Sequence, residues 1–355
     1  MKKVVLLAPT PPPAGGIAGW TMRMLKAELS NNWTIRIVDE KSIGKREVFG
    51  KKGKRRIVVE IWRCLKIWNS LRNALNDSEA IVVHSCIPAY TLSMLREYVC
   101  ACITKHKRRK FIIHFRCTIP NTVEGKIAQI VLKRICDKSD LIITLNKKSS
   151  EYLMNVTNTP VRLIPNFISE EELIKNRTIN KDLKRAVYVG GLVESKGISD
   201  ILKIASQLPD IQFVLIGKGN EEFENKASRM NLKNVLFTGE LDRESVKREL
   251  LKADVFLFMT HFPGEGFSNA LCEAMASGLP CVATDWAANK DMLGVDGGVI
   301  VNVGDVNAAV AAIGKLRTRE VRENMCRENI KKVCDEYIEK VVVGKYVDIY
   351  EMLSV

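Results

Sequence analysis

The stretch GEGFSNALCEAMASGLP, residues 264–280, constrains the fold more than any other part of the sequence. It lies between two apolar segments typical of buried strands, residues 255–259 and 281–283. Ser268 is a good helix N-cap, and Gly278 and Pro280 end the apolar helix that follows it. Strand, helix and strand in this order predict a βαβ unit. We therefore expect parallel strands, with the loop at the carboxyl edge where open α/β sheets bind ligands.

Two carboxylates interrupt this otherwise apolar unit. Glu265 lies in the loop and Glu273 in the helix, with seven residues between them. The free N–H groups at the start of a helix form an anion site, and carboxylates accept hydrogen bonds from sugar hydroxyls. A second interpretation is that Asn269, Glu273 and Ser277 form a solvent-facing stripe at helical spacing. Spacing alone favours this stripe.

The same stretch resembles the donor-site signature of family 4 glycosyltransferases, which have the GT-B fold. In that family two glutamates separated by seven residues precede an apolar helix with a Gly-x-Pro ending. Glu265 and Glu273 match the glutamates, and Gly278 and Pro280 match the ending. VATDWAANKDML, residues 282–293, resembles a variant of the next loop in bacterial members. The resemblance covers nearly the whole chain, and its most specific motifs lie in the second half.

The resemblance implies an α/β fold with two Rossmann-like domains whose parallel sheets face each other across a cleft. A chain of 355 residues suits two domains, each with its own core. We expect an acceptor-side domain at 1–168, a polar linker at 169–185 and a nucleotide-sugar domain at 186–336. The last segment, 337–355, resembles the helix that crosses back to the first domain.

The activity implied is retaining, metal-independent hexosyl transfer from a nucleotide-diphosphate sugar, without a cofactor. The sequence contains no Asp-x-Asp motif, in agreement with metal-independent chemistry. Glu265 would hold the sugar hydroxyls, Glu273 the nucleotide ribose and Lys196 the diphosphate, although Lys196 is alternatively a solvated lysine. The donor loop that the resemblance implies also includes Gly266, Phe267, Ser268 and Asn269. The donor phosphate would help to deprotonate the acceptor.

One position departs from the family pattern. Family members usually have Gly-Arg-Leu after the first strand of the second domain, and the arginine also holds the diphosphate. Here Gly191 replaces that arginine. Either another cation takes its place, or donor affinity is weak, or activity is impaired.

Gly15 and Gly16 follow the first apolar segment in TPPPAGGIAG. Glycines allow a close approach of the backbone to a substrate, and family members have a Gly-Gly loop here against the donor phosphates and the acceptor. The alternative is a flexible surface turn. A nicotinamide-binding loop is disfavoured because Ala14 stands where its first glycine belongs.

His114 ends the apolar segment FIIHF. In the family a histidine after this strand lies near the transferred sugar, so His114 is expected to be catalytic together with Glu265. Many bacterial relatives have His-x-His-Gly here, and Arg116 stands where their second histidine would be. His84 and His261 also end apolar segments and remain alternatives.

Positive charge is concentrated in the first half of the chain. The net charge is +14, and residues 1–170 contain 30 Lys and Arg against 13 Asp and Glu. KSIGKREVFGKKGKRR, residues 41–56, precedes a helical pattern with Trp62 and Trp68. Basic residues beside interfacial tryptophans predict contact with an anionic membrane, although a solvated loop before a core helix explains the pattern equally well. The densest part of the predicted patch is Lys51, Lys52, Lys54, Arg55 and Arg56.

The acceptor expected from the resemblance is a glycan or a polyprenyl-diphosphate-linked glycan, in surface polysaccharide biosynthesis at the inner face of the membrane. The ten cysteines include no C-x-x-C pair, so we expect neither a zinc site nor a disulfide framework and favour a reducing cytoplasm. Two other classes remain open. One is a nucleotide-sugar 2-epimerase, and the other is a non-catalytic basic protein that binds membrane or nucleic acid. No nucleic-acid motif supports a nucleic-acid partner.

Overall fold

The computed structural model describes residues 1–12, 15–30, 32–41, 57–174, 176–219 and 221–354. Within these residues, strands and helices alternate along most of the chain. The strands are β1 Lys2–Ala8, β2 Trp33–Asp39, β3 Ala80–Ile87, β4 Lys110–Phe115, β5 Leu141–Thr144, β6 Val161–Leu163, β7 Arg185–Val189, β8 Gln212–Ile216, β9 Val235–Gly239, β10 Val255–Phe258, β11 Cys281–Thr284 and β12 Gly298–Val301. The helices are α1 Gly16–Lys26, α2 Ile57–Ala74, α3 Thr91–His106, α4 Gly125–Lys138, α5 Lys147–Met154, α6 Ile198–Gln207, α7 Glu221–Arg229, α8 Arg243–Lys252, α9 Asn269–Ala276, α10 Asn289–Leu293, α11 Val306–Lys315, α12 Arg319–Lys332 and α13 Glu339–Ser354.

The chain forms two compact units. The first unit consists of Met1–Phe167, the short segment Pro263–Phe267 and Glu339–Val355. Its six strands form a parallel sheet in the order β2-β1-β3-β4-β5-β6. Parallel sheets are covered on both faces, which explains why the centre of β4 is the continuous apolar run Phe111, Ile112 and Ile113 with no exposed surface.

Helices cover both faces of this first sheet. Helices α2, α3 and α4 pack on one face and share a core with alternate residues of the strands. Helices α1 and α13 cover the other face, where they bury Trp20, Tyr346 and Tyr350 completely. Helix α13, the last in the chain, thus completes the core of the unit that contains the first strand.

The second unit consists of Ile168–Phe262 and Ser268–Ile338. Its strands form a parallel sheet in the order β12-β11-β10-β7-β8-β9. The predicted βαβ unit is confirmed, because β10 pairs with β11 in parallel and α9 packs against both. Gly278, with φ +68, ends the helix as expected.

Some predicted boundaries are wrong. The strand expected to end at His84 continues to Ile87, because Ser85 is polar but buried and hydrogen-bonded to Glu97 at 2.7 Å. The sequence also predicts a first helix from about Trp20 to Leu29, and that helix begins at Gly16 instead. None of the helices within the described ranges is both long and apolar enough to span a bilayer.

Candidate functional site

Helix α9 begins as the sequence predicts. The Ser268 hydroxyl accepts a hydrogen bond from the Leu271 N–H at 3.2 Å, which caps the helix. The helix packs against β10, β11 and α12, and most of its side chains are buried. Its start therefore lies at the carboxyl end of β10.

The solvent-facing stripe at helical spacing is not what the structure shows. Ser277 is buried, and Asn269 and Glu273 are only partly exposed. The Ser277 hydroxyl donates to the backbone carbonyl of Glu273 at 2.9 Å, which removes it from the solvent face. Glu273 is thus a half-buried carboxylate on a mostly apolar helix. Its contact with a donor stays a prediction.

The segment Pro263–Phe267 is held by polar groups of the first unit. The backbone N–H and the hydroxyl of Thr118 donate to the Glu265 carbonyl at 3.0 and 2.8 Å. The Asn146 amide donates to the Gly266 carbonyl at 3.1 Å. The Asn166 amide donates to the Phe267 carbonyl at 3.3 Å. The backbone around Glu265 is therefore pinned at three consecutive carbonyls.

Gly266 has no room for a side chain. A Cβ at this position would lie 2.9 Å from the carbonyl oxygen of Arg116 and 2.9 Å from a methyl group of Leu145. The glycine lets the segment lie directly against the chain after β4. Glu265 itself is partly exposed.

Sequence reasoning missed the three residues that hold this segment. Thr118, Asn146 and Asn166 are far from Glu265 in the sequence and belong to no motif that we identified. A local signal existed only for Asn146, whose side-chain oxygen accepts from the Ser149 N–H at 2.9 Å and caps α5. Its second role, toward Gly266, depends on tertiary structure.

Lys196 lies in a 3-10 turn, Glu194–Lys196, between β7 and α6. Its ammonium group lies over two aromatic rings, with the nitrogen 4.8 Å from the centre of Phe262 and 5.8 Å from that of Phe258. The His261 N–H donates to the Ser195 carbonyl at 2.8 Å and joins this turn to the end of β10. Lys196 thus lies where two neighbouring parallel strands end.

Gly191 and Gly197, which both lie between β7 and α6, differ in what surrounds them. A Cβ at Gly191 would meet no atom within 4 Å. A Cβ at Gly197 would lie 2.1 Å from the Met259 carbonyl oxygen, and Gly197 has φ +77. Of these two, Gly197 is required by the fold and Gly191 is not, so the missing arginine at 191 is not explained by lack of space.

Gly15 and Gly16 lie at the start of α1, where Gly15 precedes the first helical residue. A Cβ at either position would meet no protein atom within 4 Å, and the Gly15 backbone is extended, with φ −178. The fold does not require glycine at these two positions. Their proposed contact with a substrate stays a prediction, and Ala14 lies outside the described residues.

His114 is completely buried, and both of its ring nitrogens contact protein groups. Nδ1 lies 3.1 Å from Nε2 of His84, and Nε2 lies 3.2 Å from the guanidinium of Arg116. Burial lowers the pKa of both histidines, and the nearby positive charge of Arg116 lowers them further. The pKa of His84 falls to about 3. Both rings are therefore neutral at pH 7.

His84, Cys86 and His114 are the group of metal-ligating side chains that the described residues bring together, with ligand atoms within 4.8 Å of one another. The Arg116 guanidinium contacts this group directly, and its charge opposes a second cation there. The histidine nitrogens are already engaged with each other, with Arg116 and with Tyr350. The arrangement is that of a hydrogen-bond chain rather than a metal site.

The predicted membrane patch, Lys51, Lys52, Lys54, Arg55 and Arg56, lies outside the described residues. The two tryptophans of the following helix α2 have different surroundings. Trp62 is 67% exposed. Trp68 packs against the core and donates to the Arg96 carbonyl at 3.3 Å. Only Trp62 is thus available to an external surface.

Comparison with known proteins places part of this chain in a family. Residues 169–333 match the family model described as "Glycosyl transferases group 1". The chain therefore contains a glycosyltransferase group 1 domain. Lys196, Glu265 and Glu273 lie within the matched residues, whereas Gly15, Gly16 and His114 lie outside them.

Individual curated relatives match over part of their length. The chain is 29% identical to phosphatidyl-myo-inositol mannosyltransferase of Mycolicibacterium smegmatis over 165 residues, which are 45% of this chain and 42% of that protein. It is 27% identical to N-acetyl-alpha-D-glucosaminyl L-malate synthase of Bacillus anthracis over 237 residues, 60% of each chain. The chain thus spans about half the length of the curated relatives that it matches.

Solved structures match over the whole chain. Sucrose-phosphate synthase from Thermosynechococcus elongatus has a TM-score of 0.82 at 17% identity and covers 99% of both chains. HepE of Anabaena, solved in complex with UDP, has a TM-score of 0.74 at 13% identity and covers 99% of this chain and 100% of its own. The fold class is GT-B, as predicted, with two six-stranded parallel sheets flanked by helices.

Proposed function

We propose that this protein is a retaining glycosyltransferase. It moves a sugar from a nucleotide-diphosphate donor to a glycan or a lipid-linked glycan. The reaction breaks the bond between the anomeric carbon and the donor phosphate and forms a glycosidic bond on the same face of the sugar. The acceptor proton passes to the departing phosphate, and neither a metal ion nor a cofactor takes part.

The proposal rests mainly on the pair Glu265 and Glu273. Both glutamates lie within the group 1 glycosyltransferase domain, with seven residues between them. In the sequence, the Ser268 cap that starts α9 lies between the two. Glu273 is half-buried on a helix whose other side chains are mostly buried, a position at which a carboxylate needs polar groups around it. A nucleotide ribose bound to Glu273 supplies hydroxyl donors for that carboxylate.

The diphosphate is stabilised by groups of the second unit. Lys196 supplies a positive charge at the end of β7, and the start of α9 supplies backbone N–H groups. These groups neutralise the charge that develops on the leaving phosphate, the work that a metal ion does in other transferases. That HepE, a structure with the same fold, was solved with UDP supports a nucleotide donor.

The segment around Glu265 orients the sugar in this proposal. Its backbone is pinned by Thr118, Asn146 and Asn166, so the Glu265 side chain starts from a defined place. A carboxylate fixed in this way is suited to hold two adjacent sugar hydroxyls. Preorganised contacts of this kind lower the barrier because they need no rearrangement during the reaction.

We also propose that the first unit contacts an anionic membrane surface, where a lipid-linked acceptor is found. Helices α2, α3 and α4 form one layer, and their N-terminal halves expose large apolar side chains. On α2, Trp62 is 67% exposed and Ile57 is 76% exposed. The other exposed apolar residues of this rim are Val58, Ile61, Leu65, Leu92, Leu95, Ile127 and Ile130. The positive charge of the first half of the sequence complements anionic lipid.

This surface and the name of one relative support a lipid-linked acceptor. One relative is named for mannosyl transfer involving phosphatidyl-myo-inositol, an anionic membrane lipid. We therefore propose a polyprenyl-diphosphate-linked glycan or another lipid-anchored acceptor, used at the inner face of the membrane in surface polysaccharide synthesis.

Nucleotide release from a panel of UDP-, GDP- and ADP-sugars, with and without polyprenyl-diphosphate glycans, tests the proposed function. We expect release from one donor that depends on an acceptor, and a product with the same anomeric configuration as the donor. Release without an acceptor, together with a changed configuration at the second carbon of the sugar, would instead identify an epimerase. No release from any donor, with salt-dependent binding to random DNA, would support a non-catalytic basic protein.

A further inference from the structure

A continuous chain of buried polar groups runs through the first unit to the segment Pro263–Phe267. One arm contains Tyr350 and the two buried histidines. The Tyr350 hydroxyl lies 2.7 Å from Nδ1 of His84, and His84 Nε2 lies 3.1 Å from His114 Nδ1. His114 Nε2 lies 3.2 Å from Nη1 of Arg116. Each side chain in this arm is at most 6% exposed.

A second arm leads from Arg116 to the segment. Nη2 of Arg116 donates to the side-chain oxygen of Asn166 at 2.6 Å. The amide nitrogen of the same Asn166 donates to the Phe267 carbonyl at 3.3 Å. We call the whole set, from Tyr350 to Asn166, the polar chain. Its members are Tyr350, His84, His114, Arg116 and Asn166.

The chemistry of Arg116 determines every donor in the polar chain. A guanidinium can only donate, so Nε2 of His114 must accept. A neutral His114 then carries its proton on Nδ1 and donates to His84. By the same reasoning His84 carries its proton on Nδ1 and donates to the Tyr350 oxygen. Hydrogen bonds aligned in one direction strengthen each other, and only one arrangement of protons satisfies all of them.

The Asn166 amide is oriented by the same constraint. Its oxygen must face the guanidinium, which leaves its NH₂ group to face the Phe267 carbonyl. The orientation of the last donor before the segment is therefore set by the charge at the centre of the chain.

Burial of the Arg116 guanidinium in the polar chain lowers the stability of the fold. Arg116 is 6% exposed, and in the described part of the chain the groups that contact its guanidinium are neutral. One of them is the face of Trp20, 4.4 Å from the guanidinium carbon. A buried cation without a counter-charge destabilises a protein, and such features concentrate at functional sites.

We propose that the polar chain positions the segment Pro263–Phe267, and with it the carboxylate of Glu265. This inference rests on the proposed function, in which Glu265 holds the sugar. It makes His114 a positioning residue in place of the direct sugar contact that the family resemblance implied. It also couples the last helix of the chain, through Tyr350, to the donor segment.

Two variants at opposite ends of the polar chain test the proposal. Asn166→Asp keeps the oxygen that accepts from Arg116 but replaces the donor that faces the Phe267 carbonyl. Tyr350→Phe removes one hydroxyl from α13, at the far end of the chain. In both we expect amide hydrogen exchange in residues 263–268 to accelerate about fivefold or more, the scale of one lost hydrogen bond. We also expect turnover to fall about tenfold or more, because small displacements of reacting groups slow catalysis strongly.

UDP binding, measured by calorimetry, separates positioning from loss of the donor site. UDP affinity should stay within about threefold of the wild type, because the proposed diphosphate and ribose contacts are made by Lys196, α9 and Glu273. The matched control is Asn234→Asp, which removes an amide that donates to the carbonyls of Ala205, Leu208 and Ile211 in the second unit. It should lower the melting temperature without changing exchange in residues 263–268.

Unchanged exchange in residues 263–268 of a folded Tyr350→Phe variant would overturn the proposal, even if Asn166→Asp accelerates exchange, because the anchoring would then be local to Asn166. The exchange measurement needs neither donor nor acceptor. If the wild type releases no nucleotide, the proposed function is refuted. Amide hydrogen exchange would still decide whether Tyr350 is coupled to residues 263–268.

Discussion

The ammonium nitrogen of Lys196 lies 4.8 Å from the centre of the Phe262 ring. Phe262 follows β10, whereas Lys196 follows β7, and the two strands are neighbours in one parallel sheet. The faces of Phe262 and Phe258 hold the ammonium group of Lys196 near the ends of these two strands. Trp286 holds the backbone of Phe262 in place, since its indole N–H donates to the Phe262 carbonyl at 2.8 Å.

We expect Lys196→Ala to weaken UDP binding by about tenfold, because a charge-assisted contact to the diphosphate is lost. Calorimetry measures the change. Lys203→Ala is the matched control, since Lys203 lies on the next helix, is 55% exposed and pairs with Asp200. Equal affinities of the two variants would remove Lys196 from the donor site.

Gly191→Arg should fold normally and bind UDP several-fold more tightly than the wild type. The space around position 191 is open, so the change in stability should stay within about 0.5 kcal/mol. Gly197→Ala should instead destabilise the protein by about 1–3 kcal/mol or more, because its Cβ would collide with the Met259 carbonyl at a positive φ. Thermal unfolding compares the two, and a destabilised Gly191→Arg would show that the loop cannot take the family's arginine.

Glu273→Gln should leave the melting temperature unchanged and reduce turnover by about a hundredfold, the usual effect of removing one transition-state hydrogen bond. Glu320→Gln on α12 is the control, because Glu320 is exposed and distant in sequence from the motif. Normal turnover in folded Glu273→Gln would contradict the assignment of the ribose contact.

The stability of the protein should depend on His84 below neutral pH. Its folded-state pKa is about 3, against 6.5 for an unperturbed histidine. Between these values the unfolded chain binds a proton that the folded chain does not, so His84 lowers stability as the pH falls through 6.5. The unfolding free energy of the wild type, relative to His84→Gln, should therefore decrease by about 1.4 kcal/mol between pH 7.5 and 5.5. Urea unfolding at both pH values checks this, and a difference that does not change with pH would mean that His84 titrates normally.

The membrane proposal predicts binding to anionic but not to neutral vesicles, and weaker binding at high salt. Replacing Lys51, Lys52, Lys54, Arg55 and Arg56 with glutamine should abolish binding while sparing transfer to a soluble acceptor analogue.

The apolar rim can be tested separately. Ile61→Gln combined with Trp62→Gln should weaken vesicle binding by at least about tenfold, since both side chains would lose burial in lipid. Met352→Gln is the control, because Met352 is 52% exposed on α13, which packs on the other face of the first sheet. The membrane proposal would be contradicted if sedimentation showed binding that does not depend on lipid charge, or binding that Met352→Gln weakens equally. A phosphorylated acceptor would then be the remaining explanation for the positive charge of residues 1–170.

The sequence by itself determined the local structure of the stretch 264–280 and of the strands beside it. Apolar runs, the Ser268 cap and the Gly278 stop are local signals, and each produced the predicted strand or helix. The spacing of Glu265 and Glu273 is visible in the sequence because it lies in one continuous stretch, and that stretch falls within the residues that match the group 1 family model. The end of β3 and the start of α1 were predicted wrongly. Hydrophobic periodicity does not show that a polar residue such as Ser85 is buried with a partner, and it does not show that the helix already begins at Gly16.

Only the tertiary structure decided the surroundings of the site. Thr118 reaches the Glu265 carbonyl across 147 residues of sequence, and Tyr350 reaches His84 across 266. Such contacts form only when segments far apart in the sequence pack together, and no local periodicity encodes them. His114 was visible as a histidine at the end of a strand, but its neutral state depends on burial beside Arg116. Burial and neighbouring charge are properties of the assembled core, and no local pattern in the sequence reveals them.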